Sequence, residues 1–251
     1  MIHTLRTLKR GFGVAAAFFA ILGFSFAATA ASLMVNPIRV VLDGKNQSAI
    51  VTLRNAGEEA RVIQAELLRW TQEGERDVYT PTRDLLVNPP VFTLAPGQSQ
   101  LIRIGLNRSP DAAQELAYRL YIQEVPPPSK PGFSGLQMAL RIGVPVFVNP
   151  TSALRPRLRW QASLTPAGMI KLKVSNEGNF HIHLTDLKLM ESGSQRQIID
   201  RNRIHAYMLP GKSLELTLQP EFDWKGDRFR LSALTDRGVV DTELVLEEEK
   251  P

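Results

Sequence analysis

The sequence predicts an all-β protein of two β-sandwiches built from antiparallel strands, and three observations predict it. Turn signals recur about every 8 to 12 residues, with segments of alternating apolar and polar residues between them. Segments with helical periodicity are nearly absent. The alternation lapses once, in NPTSALRP, where Pro150 and Pro156 fall, and then resumes in the same style.

Residues 1–30 stand apart from the fold. Arg6, Lys9 and Arg10 precede the apolar run GVAAAFFAILGFSFA, and Ala28-Thr29-Ala30 follows as an AxA pattern. That order is the one expected of a secretory signal peptide, removed on export, with no stable membrane insertion afterwards. Its removal takes three of the 30 basic residues and none of the 25 acidic ones, so the net charge of +5 falls to near +2. No clustered basic face remains to support a nucleic-acid partner.

The first domain is expected over residues 31–150. SLMVNPIRVVLDG closes on Asp43-Gly44, SAIVTLRNAG on Gly57 and RVIQAELLRWTQEG on Gly74. VFTLAPG closes on Pro96-Gly97, and SQLIRIGLN and ELAYRLYIQEVPPP follow. LQMALRIGVPVFV then places Leu136, Met138, Leu140, Ile142, Val144, Val146 and Val148 at a spacing of two. This reads as a 13-residue strand of roughly 43 Å with one apolar face, more than its own sheet needs. The second domain is expected over residues 151–251, with strands in RLRWQASLT, MIKLKVSNEG, HIHLTDLKLM, QIIDRNRIHAYMLPG, SLELTLQP, RFRLSALTDRG and VVDTELVLEE. The chain has no cysteine, which excludes disulfide staples, thiol catalysis and zinc-thiolate sites.

Catalytic signals are weak, and no enzyme activity or cofactor is expected. Gly132-Phe133-Ser134-Gly135 misses the spacing of a nucleophile elbow and lacks its strand-turn-helix context, so it reads as a loop. His181 and His183 fall on one face of a strand and, with His205, offer three possible metal ligands. A polar outer strand face accommodates surface histidines equally well, and no metal site is assigned. The acidic residues form no pair that can be placed across a cleft. The arginines are more informative: Arg39, Arg103, Arg119 and Arg141 each interrupt an otherwise apolar segment. Alternation alone puts each on a solvated face, whereas a guanidinium near a cleft floor suits bidentate capture of a carboxylate.

Five segments in order resemble the periplasmic chaperones of the chaperone-usher pathway, which fold and deliver pilus subunits. IRVVLDG resembles the family's first strand, with Arg39 at its carboxylate anchor, and PPVFTLAPGQSQLIRI its PP, L-x-PG and Arg-bearing strand pair. ELAYRLYIQEVPPP resembles the strand closing on E-[IV]-P-P, LQMAL the start of the donor strand, and Phe147 with Pro150 its F-x-x-P ending. The resemblance implies two immunoglobulin-like sandwiches set at an angle, as a boomerang, in the periplasm. Its partners would be pilus subunits and an outer-membrane usher. Leu136, Met138, Leu140 and Ile142 would complete a subunit's sandwich by strand addition, contributing about 6–12 kcal/mol gross at 1.5–3 kcal/mol each.

Two departures shape that expectation. The family's anchor lysine falls on Pro145, and Tyr118-Arg119-Leu120 matches a YRL context of the archaic branch, so the resemblance implies Arg39 and Arg119 as the anchor for the subunit's terminal carboxylate. Glu115 aligns with the acidic member of an interdomain ion pair whose expected arginine is Asn149 here. The competing expectation is an exported sandwich that binds carbohydrate or protein as an adhesin or pilus subunit. A secreted hydrolase is a third and lacks a supporting constellation.

Overall fold

The computed structural model describes residues 33–126, 138–194, 196–201, 204–222, 224 and 226–247. They form eighteen strands and no helix. The first half contains β1 (Leu33–Asn36), β2 (Val40–Leu42), β3 (Ser48–Asn55), β4 (Arg61–Glu73), β5 (Arg76–Pro81), β6 (Leu85–Asn88), β7 (Val91–Leu94), β8 (Ser99–Leu106), β9 (Leu116–Val125) and β10 (Arg141–Val148). One sheet runs β1-β3-β8-β6; the other runs β2-β10-β9-β4-β5, with β7 also paired to β4. The alternation in each strand supplies the inner faces. Val51 and Leu53 of β3, Ile102 and Ile104 of β8, Leu120 and Ile122 of β9, and Val144, Val146 and Val148 of β10 meet in one core from which water is excluded.

The second half contains β11 (Leu158–Leu164), β12 (Ile170–Asn176), β13 (Ile182–Glu191), β14 (Gln197–Arg201), β15 (Ala206–Met208), β16 (Ser213–Leu218), β17 (Arg228–Thr235) and β18 (Gly238–Glu247). Its strand order is β14-β13-β17-β18-β11-β12-β16, with β15 paired to β13. The β11-β12-β16 wing and the β13-β17-β18 wing bury their apolar rows in a second core, where Leu172 and Val174 meet Leu187, Leu189, Phe229 and Leu231. A third, small cluster joins the halves: Trp70, Ala117 and Phe147 of the first pack with Leu209 of the second.

Two differences from the sequence expectation stand out. The strands are not all antiparallel, because β2 runs parallel to β10 and β11 parallel to β18. The 13-residue strand is β4, whereas β10 begins only at Arg141; Met138–Leu140 lie outside it and Leu136 lies outside the described residues. At that point Leu140 N–H donates to the Glu124 side-chain carboxylate at 3.2 Å instead of to a strand carbonyl, which ends the ladder. As the sequence reading has it, Pro145 sits in mid-strand, a position that normally costs a ladder hydrogen bond.

The ladder itself resolves the proline. Leu140 carbonyl accepts from Glu124 N–H at 2.9 Å, so the even-numbered residues of β10 direct their backbone polar groups toward β9. The odd-numbered residues direct theirs to the opposite edge, where Asn149 N–H donates to Leu42 carbonyl at 2.8 Å. Pro145 belongs to the second set, so its missing N–H removes no bond to β9.

Candidate functional site

The edge of β10 changes character along its length. Antiparallel pairing with β9 covers Arg141 to Val148 on one side. On the other side β2 covers only Val146 to Val148, in register with Val40 to Leu42. Among the described residues no strand pairs with that outer edge from Arg141 to Pro145. Arg141 and Gly143 therefore present N–H and carbonyl groups there, while Pro145 presents a carbonyl alone. Of the four residues expected on the donor strand, Met138 is 79% exposed, and Leu140 and Ile142 are half-buried against the first core.

The other face of β10 looks toward the second sandwich. Alternation sends Gly143, Pro145 and Phe147 there, and Ala117, Arg119 and Tyr121 from β9. Arg119 is the register partner of Pro145. Its guanidinium lies 4.1 Å above the Trp70 ring and donates to Tyr79 Oη at 3.3 Å. Burial pushes the Tyr79 phenol up to about 12, against the opposing pull of Arg119. Gly143 leaves room for this arrangement, since a Cβ there would stand 3.3 Å from Arg119 Cδ and Tyr121 Cε1.

Arg39 immediately precedes β2, which places it at the point where the open part of the β10 edge ends. It donates from Nη1 to Asp236 Oδ2 at 2.7 Å and from Nη2 to Tyr207 Oη at 3.2 Å. Burial lowers its pKa, but Tyr207 and Asp236 outweigh that and raise it. Arg39 and Arg119 thus flank one aromatic pair, because the Trp70 ring beneath Arg119 lies 5.3 Å from the Tyr207 ring that Arg39 reaches. Arg119 and Tyr207 line a cleft of about 350 Å³ with Gln72, Asp77, Ser213 and Leu214. The structure gathers the two sequence-selected arginines at one junction.

A row of titratable side chains adjoins them. The Glu115 carboxylate takes the His181 backbone N–H at 3.0 Å and lies 2.8 and 3.0 Å from His181 Nδ1. On the other side of that ring Nε2 stands 3.5 Å from Asp236 Oδ2, at ion-pair distance but without a hydrogen bond. Asp236 also accepts the His183 backbone N–H at 2.9 Å. Burial raises the Asp236 pKa, but His181, the His183 N–H and Arg39 overcome it and hold the carboxyl far below its usual range. A second clamp lies nearby, where Gln72 donates to Tyr207 carbonyl at 2.8 Å and accepts Leu209 N–H at 3.0 Å.

These contacts revise the histidine readings. His181 is not a surface residue: it is 1% exposed and stacks on Phe147 with ring centroids 3.5 Å apart. His183 stacks on Tyr207 at 4.1 Å. Glu115, whose family partner at position 149 is an asparagine here, still meets the second sandwich, through His181 at 2.8 Å. Asp236 was not legible beforehand, because it joins the row from the turn between β17 and β18, 197 residues from Arg39. Gly132-Phe133-Ser134-Gly135 lies outside the described residues.

Comparison with known proteins follows the same outline. Residues 32–153 match the family model described as pili and flagellar-assembly chaperone, PapD N-terminal domain. The chain is 28% identical over 199 residues to the chaperone protein FimB/FhaD of Bordetella pertussis, covering 74% of this chain and 79% of that protein. It is 25% identical to the chaperone protein PapD of Escherichia coli over 139 residues, covering 53% and 56%. Among solved structures, the CsuC-CsuE chaperone-tip adhesion subunit pre-assembly complex of Acinetobacter baumannii, from archaic chaperone-usher Csu pili, gives a TM-score of 0.65 at 19% identity over 87% of this chain and all of that one. The SafA pilin complex with the SafB chaperone of Salmonella enterica gives 0.59 at 20% identity, over 86% and 96%.

Proposed function

We propose that this chain, whose residues 32–153 match the pilus-assembly chaperone family model, binds, folds and delivers pilus subunits to an outer-membrane usher by lending the outer edge of β10 as a strand. It acts in the periplasm, by binding rather than by catalysis, after loss of residues 1–30. The observation that carries this reading is the edge of β10, unpaired among the described residues from Arg141 to Pro145 and ending at Arg39. A subunit strand running in the direction of β10 is colinear with β2. Its C-terminus then arrives at Arg39, the residue before β2, with Arg119 across the Trp70–Tyr207 pair.

The chemistry of each part fits that geometry. Arg141 and Gly143 supply ladder donors and acceptors to the incoming strand, and Pro145 ends the run of donors beside its register partner Arg119. Two guanidiniums then take the terminal carboxylate, and charged hydrogen bonds of this kind contribute about 1.5–3 kcal/mol each. Fixing the terminus fixes register, because a one-residue slip would turn the apolar row of the subunit strand to the wrong face. Met138 has most of its surface still to bury, whereas Leu140 and Ile142 are already partly withdrawn from water. The apolar gain from these three therefore falls below the sequence-based figure and rests mainly on Met138. Pro145 in place of a lysine, with Arg119 opposite, is what supports placing the chain in the archaic branch.

Co-expression with candidate pilus subunits tests the proposal. A stable one-to-one complex is expected from the wild type, and none from Arg39→Ala, with the variant's circular dichroism unchanged. Normal subunit recovery by Arg39→Ala removes Arg39 from the anchor. Failure of the wild type to retain any subunit removes the function.

A further inference from the structure

We propose that His181 is a positioning residue of the carboxylate anchor: as an imidazolium it holds Glu115 of the first sandwich against Asp236 of the second, and so fixes the carboxylate that orients Arg39. The inference rests on the reading of Arg39 as an anchor, and its own foundation is the proton count of the buried row. Glu115 as a carboxylate can only accept, and both its oxygens lie within 3.0 Å of His181 Nδ1, so Nδ1 carries a proton. Nε2 then faces Asp236 Oδ2 at 3.5 Å. A neutral ring would turn a lone pair toward that carboxylate, whereas an imidazolium places an N–H between the two.

Among the described residues, Glu115 and Asp236 are the carboxylates within ion-pair distance of the ring. Phe147 from β10 covers one face at 3.5 Å with an interplanar angle of 8°, and Tyr207 from β15 lies at 5.8 Å. Glu115 reaches it from the segment before β9, and Asp236 from the β17–β18 turn. The turn's Arg237 is occupied over the Phe180 ring at 4.6 Å. Two residues along, His183 is stacked on Tyr207, and burial, ahead of the influence of Asp236 and Arg39, lowers its pKa. Arg39 completes the row through Asp236 at 2.7 Å. With His181 protonated, two carboxylates face two cations. With His181 neutral, they face one, and Arg39 is held by Asp236 with nothing sharing that charge.

A subunit carboxylate arriving at Arg39 adds a third negative charge to this row. Capture and protonation of His181 therefore favour each other, and by reciprocity a bound subunit makes the proton harder to remove. Burial by itself would lower the His181 pKa, but Asp236 and Glu115 outweigh it and raise it above the usual imidazole value. Capture is complete where the ring is charged and declines as pH rises through the raised value, at most about tenfold in affinity per pH unit.

Two measurements on the full chain test the inference. Nitrogen-15 NMR of the free protein is expected to show both His181 ring nitrogens protonated at pH 6.5, with a midpoint above that pH; a neutral ring at pH 6.5 overturns the proposal. The complex with the co-expressed subunit, immobilised and washed from pH 6 to 9, is expected to release subunit in a step that follows the NMR midpoint. His181→Gln is expected to retain less subunit at pH 6 and to lack the step, and His181→Arg to restore retention without pH dependence. A wild type with no step, or His181→Gln with the wild-type step, overturns the coupling. Should His181→Gln fail to fold, the NMR result and the wild-type profile still decide. Normal capture by Arg39→Ala would instead remove the anchor reading while leaving the protonation result intact.

Discussion

Phe147→Ala is the most informative single perturbation of the junction. The Phe147 side chain is fully buried, its ring stacked on His181 at 3.5 Å and 6.0 Å from both Trp70 and Tyr207. Truncation removes apolar area from water-free contact and leaves a cavity between two sandwiches that cannot collapse independently of the Gln72 and Glu115 clamps. Phe→Ala changes in such positions cost about 3–5 kcal/mol. At a urea m-value of about 2 kcal/mol/M, that lowers the unfolding midpoint by about 1.5–2.5 M. Equilibrium urea unfolding followed by tryptophan fluorescence measures it, since Trp70 belongs to the same cluster. A shift below about 0.5 M with an unchanged slope would falsify the claim that this ring couples the two halves.

Three further outcomes are expected. Met138→Glu changes stability by less than about 0.5 kcal/mol, because the side chain is 79% exposed, yet abolishes subunit recovery in co-purification; undiminished recovery moves the donor face elsewhere. Gly143→Val forces Arg119 and Tyr121 from their places 3.3 Å from the Cβ position, costs about 1–3 kcal/mol in thermal or urea unfolding, and lowers recovery more than Met138→Ala does. The pH profile of stability has two limbs. Asp236, held low in the folded state, contributes fully above the ordinary carboxylate range and loses that contribution as pH falls. His181, held high, contributes fully below about pH 6.5 and loses it as pH rises through its folded value. Urea midpoints from pH 3 to 9 should show Asp236→Asn flattening the acid limb and His181→Gln the alkaline one; parallel profiles would exclude these groups.

Much of the architecture was legible in period-two alternation, because each strand has one face in a core and the pattern is local. Val144, Val146 and Val148, on the apolar face that the spacing of two predicts, lie in the core of the first sandwich, and the all-β reading follows from the same signal along the whole chain. Arg39 and Arg119 were selected as polar exceptions in apolar segments together with a family resemblance, and the tertiary structure sets both around Trp70 and Tyr207.

Alternation says which face a residue occupies, but not which edge its backbone polar groups reach or where a ladder ends. Pro145 looked like the loss of an anchor; only the pairing with β9 and β2 shows that its absent N–H lies on the outer edge, with Arg119 in register across the strand. The row Glu115, His181, Asp236 and Arg39 is likewise a product of tertiary structure, since its links span 66, 55 and 197 positions and leave no local periodicity to read. Local pattern determined what is buried, and chain packing decided which titratable groups meet and which strand edge is unpaired among the described residues.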